Sequence, residues 1–190
     1  MKSFITSEFI KDSPKLRFQQ GDILRDISII AGTDFDNETG EIIVSAISLE
    51  YAVVVNQDCD LEHDYNSRKE SNNKDKFLPN ILLVPAYLAS KFKEGAHLGE
   101  DHKCQVWNSQ LYKPIIQNLN QRFHYLNSNE QFQIPELIID FKHVYTINRD
   151  IIYKNINLIY LASICELYRE NLSHRYSNFI SRIGLPDRET

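Results

Sequence analysis

Three consecutive valines, Val53 to Val55, sit in the stretch "YAVVVNQDCDLEHD" and limit the architecture more than any other feature. A β-branched run with no polar alternation is a strand covered on both faces, so other elements must lie above and below its sheet. Further apolar runs recur along the chain: Ile23, Ile27 and Ile29 in "QGDILRDISIIAG", then Ile42 to Val44, then Ile81 to Val84. "DNETGE" separates two of them and is built from residues that tolerate turn geometry. Pro85 is expected to stop the strand it follows, with a short helix at about 86–92. "VWNSQLYKPIIQNL" has helical spacing that Pro114 must kink or divide, while "RFHYL" and "PELIIDFKHVYTI" are strand-like again. Residues 64–76, "DYNSRKESNNKDK", carry one aromatic and otherwise only polar groups, and read as a solvated loop.

Towards the C-terminus the period changes. Leu158, Leu161, Cys165, Tyr168, Leu172, Tyr176, Phe179 and Ile183 advance in steps of three or four, which places them on one helical face. Asn155 or Asn157 can cap the start, and Gly184 and Pro186 can end it, as one helix or as two broken near Ser173. Strands first, with helices inserted and appended, predict an α+β chain: a small antiparallel barrel or strongly bent sheet under helical cover. Its 190 residues fit a single domain, with a barrel core at about 17–90 and 134–152. A helical insertion at about 91–133 and C-terminal helices at about 155–184 complete it.

Charge and cysteine usage exclude several roles. Gly32 to Asp64 holds nine acidic residues and no Lys or Arg, whereas Lys142 to Thr190 holds seven Lys or Arg against five acids. A polyanion is repelled by the first region, so nucleic acid is a partner only through the C-terminal helical segment. No apolar run approaches the roughly 20 residues of a bilayer span, and the N-terminus lacks an apolar signal core. Cys59, Cys104 and Cys165 are far apart and form no CxxC pair, which points to a reducing cytoplasm.

Several segments carry a family likeness. "QGDIL", "YAVVVNQDCD", "ILLVPAY" and "LIIDFKHVYTINRDII", in that order, resemble the MazF/PemK toxin endoribonucleases. Gly21, Asp22 and Ile23 match the family's opening strand, and Asp140 to Arg149 looks like its closing one. The resemblance implies an SH3-like (PemK-like) bent antiparallel β-barrel. It does not bring the family's chemistry. Leu49, Glu50 and Tyr51 stand where the catalytic Arg belongs, and Pro85, Ala86 and Tyr87 where the hydroxyl belongs. Without that cation, transition-state phosphate charge goes unstabilised. The "NQDCDL" strand end also resembles uncharacterised bacterial proteins near phage-defence or toxin genes.

The acidic stretch admits several readings. Cys59 is a candidate thiol nucleophile, although Asp58 and Asp60 beside it raise a thiol pKa, with His124 or His143 as a distant base. Asp58, Asp60 and Glu62, on one side of an extended segment, are candidate ligands for Mg²⁺ or Mn²⁺, as in a phosphoesterase or nuclease. The acids could instead steer a basic protein partner. The reading adopted is architectural: Cys59 is a small buried residue at a strand end, and Asp58 and Asp60 satisfy backbone N–H groups in the turn that follows. Elsewhere, His102 and Cys104 could share a metal. Arg122, His124 and Tyr125 could bind an anion, and Arg169, Arg175 and Arg182 could touch phosphate. Pairing of Arg122 with an acid, and a solvated face for the tail arginines, are the plainer alternatives.

The resulting expectation is a non-catalytic, cytoplasmic docking protein of a bacterial toxin–antitoxin or antiviral assembly, with a protein partner and with homo-oligomerisation open. It needs no cofactor. The alternative is a hydrolase, metal-dependent at Asp58, Asp60 and Glu62 or thiol-dependent at Cys59.

Overall fold

The computed structural model describes residues 5–71, 73–99, 102 and 104–182. Eight strands form one sheet: β1 (Phe9–Ile10), β2 (Asp22–Phe35), β3 (Ile42–Val54), β4 (Asn80–Leu88), β5 (Phe123–Leu126), β6 (Leu137–Asp140), β7 (Tyr145–Asn148) and β8 (Tyr160–Ile164). Every pairing is antiparallel in the order β1-β8-β2-β3-β4-β6-β5, with β7 beside β4. The sheet curls into a half-barrel, and its ends come within hydrogen-bonding reach. Thr6 N and Oγ1 both donate to Asn127 Oδ1 at 2.6 Å, and Asn127 N donates to Ser7 Oγ at 2.9 Å.

The helices are α1 (Asp58–Glu70), α2 (Ala89–Lys93), α3 (Ser109–Ile116), α4 (Arg149–Tyr153), α5 (Ile156–Ile159) and α6 (Glu166–Ile180). Among the described residues none is long and apolar enough to cross a membrane. Val53 packs in a cluster with Leu172 and Tyr176 of α6, while Val54 packs in another with Leu61 of α1, Ile152 of α4 and Ile156 of α5. The valine run is therefore covered on both faces, as its composition requires. A third cluster joins Phe92, Ile115, Phe123 and Ile138 under α2 and α3.

Four expectations are corrected. The tail is not helical throughout: Tyr160–Ile164 is β8, wholly buried between β1 and β2, and Leu158 is 73 % exposed rather than on a core stripe. A buried strand and a buried helix turn look alike in a short apolar run, and the sheet's open edge decided the matter. Asn155 precedes α5 without a side-chain cap, and Asn157 Oδ1 accepts instead from Lys15 N at 2.8 Å. Of the tail stripe, Ile183 and the Gly184–Pro186 stop lie outside the described residues. Second, residues 64–70 are not loop but the second half of α1, whose inward residues Leu61, Asp64 and Ser67 are spaced by three. Polar inward residues hid that period. Third, β4 runs through Pro85, which falls where β4 exchanges β7 (to Leu83) for β6 (from Ala86), so a missing N–H costs no ladder bond. Fourth, the expected helical insertion contributes β5 to the sheet, alongside α2 and α3.

A buried polar network anchors the N-terminal segment. Lys15 Nζ donates to Asp22 Oδ1 (3.0 Å), Asp12 Oδ2 (3.0 Å) and Ser163 Oγ (3.2 Å), and lies 4.4 Å from the centre of the Tyr160 ring. Ser163 Oγ donates to Asp22 Oδ1 at 2.6 Å and pairs with Tyr160 Oη at 2.8 Å. Gln19 N donates to Asp22 Oδ2 at 2.8 Å. Lys15, Asp22 and Ser163 each have more than one partner, the condition for burying a charge.

Candidate functional site

The acidic stretch is the first half of α1, and its residues part company there. Asp58 accepts from Arg17 Nη1 (3.2 Å) and Gln20 N (3.3 Å), tying the N-terminal segment to the helix. Cys59 is exposed, contrary to the buried strand-end role expected of it, with Sγ 3.7 Å from Gln57 Oε1. Asp60, Glu62 and His63 are exposed. Residues two apart on a helix point some 200° from one another, so the extended geometry that would converge Asp58, Asp60 and Glu62 on a cation is not present. Among the described residues no three His, Cys, Asp or Glu side chains are grouped to hold a metal, and His102 with Cys104 gains no third ligand. Asp58 and Asp60 complement the positive end of the helix. Asp64 is fully buried and bonded to Arg68, Arg149 and the Leu78 N–H.

The residues expected to bind an anion around β5 are engaged within the fold. Arg122 grips Asp140 in a two-pronged pair, at 2.7 and 2.6 Å, the plainer alternative for it. Tyr125 Oη donates to Glu136 Oε1 at 2.6 Å, and burial first, then this bond, holds its phenol well above the ordinary range. Arg169 lays its aliphatic stem against Gly21. Arg175 Nε donates to His124 Nδ1 at 3.1 Å, and its Nη groups donate to the carbonyls of Asn118, Asn120 and Phe123.

His124 is therefore no base for Cys59. It lies buried in the sheet, faces Arg175 and Phe141, and must carry its proton on Nε2, which has no partner among the described residues. Burial and the neighbouring guanidinium push its pKa down to about 3. Unfolded, the ring takes up a proton near pH 6.5 that the native state refuses. Stability from this group is thus complete above about 6.5 and declines as pH falls towards 3, by about 3 kcal/mol at pH 4. Urea titrations of wild type and His124→Gln across this range should show the variant losing less on acidification. Parallel pH curves would refute the assignment.

A groove that sequence reasoning missed lies over β3 and β4. It has a volume of about 230 Å³, and Ser48, Glu50, Tyr87, Lys91 and His97 are among its lining. His97 stacks edge-on against Tyr87 at 4.8 Å, and its buried Nδ1 has no partner among the described residues. Burial lowers the His97 pKa and raises that of Tyr87, so both rings stay neutral at pH 7. Behind Tyr87, its hydroxyl meets His143 Nδ1 at 3.4 Å, and that nitrogen lies 3.4 Å from Asp140 Oδ2. Residues 87, 97 and 143 come from separate segments, and no spacing in the sequence links them.

The other feature is the outer half of the β2–β3 hairpin. Beyond Leu24 and before Tyr51 these strands pair only with each other among the described residues. Register puts Phe35 opposite Ile42, Thr33 opposite Val44 and Ile30 opposite Ala46, each pair on the same face. Ile30, Phe35, Ile42 and Val44 are 54–68 % exposed, so the face is an apolar stripe open to solvent. Ser48, on the same face of β3 two residues beyond Ala46, lines the groove. Asp36 forms the tip, its Oδ1 accepting from Glu38 N (2.8 Å) and Thr39 N (3.2 Å). Its outer part, residues 30–46, carries Asp34, Asp36, Glu38 and Glu41 and no Lys or Arg; Arg25, nearer the sheet, lies 3.9 Å from Asp26.

Comparison of the chain with family models, curated proteins and solved structures finds no match.

Proposed function

We infer that this chain is a docking protein, and that its β2–β3 ribbon seats on a partner protein whose surface is both apolar and basic. The exposed stripe of Ile30, Phe35, Ile42 and Val44 carries the reading. A two-stranded ribbon is marginal alone in water, and a long apolar one with free edges invites pairing. Exposed apolar surface of this kind marks interaction sites. Four carboxylates around it select the partner's charge and raise its rate of encounter. They also oppose a second copy of the same ribbon, whose four carboxylates would meet these four. The free strand edges supply main-chain donors and acceptors for an added strand.

A cytoplasmic toxin–antitoxin or antiviral assembly is the proposed setting, with an SH3-like, PemK-like origin for the curled sheet. Both rest on the Gly21–Asp22–Ile23 opening, the Asp140–Arg149 segment and the "NQDCDL" strand end.

The test places a photo-crosslinking residue at position 44 in the native host. The reading expects one discrete heterologous adduct that re-forms from purified components, weakens with salt and is lost in a Phe35→Ser, Ile42→Ser, Val44→Ser variant. That variant should lose no more than about 1.5 kcal/mol, about 0.5 for each exposed residue replaced. A self-adduct, or no adduct, would refute the proposal.

A further inference from the structure

Around the end of α6 lies a cup of about 250 Å³, lined by Gln121, Arg175, Asn178, Phe179 and Arg182. Its charged members are both guanidinium groups. Neither Arg175 nor Arg182 has a carboxylate within ion-pair distance among the described residues, although the chain carries a net charge of −5. Arg17, Arg25, Arg68, Arg122 and Arg149 each have one, whereas Arg169, which lies outside the cup, has none among the described residues.

The two cations are held differently. Arg175 is fixed along its back edge by His124 Nδ1 and three carbonyls, which use four of its five N–H groups and leave one on Nη1. Arg182 donates Nε to Phe179 O at 3.0 Å and stacks 3.9 Å from the centre of the Phe179 ring. Its Nη groups have no acceptor among the described residues. Capping the helix end accounts for the Nε bond, and tethering the 118–123 loop accounts for the Arg175 carbonyl bonds. Neither role uses the N–H groups left over. Arg182 is exposed and favoured by the negative end of α6, whereas Arg175 is half-buried, and burial lowers its pKa because that charge is partly desolvated. Gln121 adds a neutral amide donor, and Asn178, whose Nδ2 lies 3.2 Å from His174 Nδ1, lines the cup between the two arginines in sequence.

We propose that this cup binds a small tetrahedral oxyanion, inorganic phosphate or a phosphomonoester, between Arg175 and Arg182. Fork-shaped N–H pairs match phosphate oxygens, and preorganisation of Arg175 lowers the cost of binding. A nucleic-acid backbone is the weaker fit. Two unpaired cations fall short of the roughly 6–10 phosphate contacts that give polyanions their affinity, and the rest of the molecule repels them.

Arginine Nε–H resonances report the site directly. Inorganic phosphate, titrated against chloride at constant ionic strength, should shift the Arg175 and Arg182 signals and the Asn178 amide saturably, with a Kd on the order of 1 mM. Arg182→Ala should weaken binding about tenfold while leaving the Arg175 Nε signal in place, a sign that the fold survives. Asn178→Asp, which sets a carboxylate between the two cations, should abolish binding. The absence of a saturable shift, an equal response to chloride, or undiminished affinity in Arg182→Ala would each overturn the proposal. So would a response to a single-stranded RNA oligonucleotide with none to phosphate.

Discussion

Replacing Asp22 with alanine should destabilise the protein by about 3–5 kcal/mol at pH 7, because it leaves the Lys15 ammonium buried without its main counter-charge. Lys15 is 2 % exposed and Asp22 fully buried; Asp12, the remaining carboxylate, is at the rim. The same change removes the acceptor of the Gln19 N–H and leaves the Ser163 hydroxyl only Tyr160 and Lys15 as partners. A Lys15→Met, Asp22→Leu double variant should recover most of the loss, since removing both charges also removes both desolvation penalties. Urea midpoints measure all three. A single-variant cost below about 1 kcal/mol would show that the network is not the anchor described.

The pair also has a pH signature. Burial, outweighing the pull of Lys15 and Ser163, lifts the Asp22 carboxyl to about 6. Between about 4 and 6 the native state keeps a proton that the unfolded chain has released, so the Asp22 contribution is greatest at the acid end and declines as pH rises to 6. His124 acts in the opposite direction over the same interval. The two slopes offset each other in the wild type, and each is exposed by removing the other group. His124→Gln should lose stability as pH rises from 4 to 6, and Asp22→Asn should gain it.

The second large effect comes from within the acidic stretch. Asp64→Ala should cost about 3 kcal/mol, for it orphans the Leu78 N–H and leaves Arg68 and Arg149 with only the exposed Asp150 as a counter-charge. Arg68 Nε lies 2.7 Å and Leu78 N 2.8 Å from Asp64 Oδ1, while Arg149 Nε lies 2.8 Å from Oδ2 and stacks 3.6 Å over the Tyr153 ring. One carboxylate thus fastens α1 to the lead-in of β4 and to α4. Cys59→Ala, Asp60→Ala and Glu62→Ala should each cost under about 1 kcal/mol, as expected for exposed positions on the first turns of a helix. Equal effects across the stretch would contradict the division between one structural acid and a solvated face.

Much of the sheet was legible because β-branched runs bounded by turn residues have few alternatives. The valine run, the Asp36 turn and the strands at 81–84, 123–126 and 137–140 follow from that rule. The failures share a cause. α1 turns Asp64 and Ser67 inward, so its core face is polar and shows no hydrophobic period. Tyr160–Ile164 shows helical spacing by coincidence, and became a strand because β1 and β2 offered it hydrogen bonds on both edges. For the sites, Arg175 and Arg182 were visible as cations in the tail, but their lack of carboxylates was not. Exposure of the ribbon was equally hidden, because an apolar strand reads the same whether or not a neighbour covers it.

Local chemistry alone settled that this chain would build a layered sheet and turn at Asp36. Long-range packing decided which of the acids in α1 became structural, which strands stayed uncovered and which arginines were left without a carboxylate. Such outcomes depend on what arrives from 40 to 150 residues away, as with Arg149 on Asp64 and Lys15 on Ser163. Propensity and periodicity carry no information about an encounter at that distance.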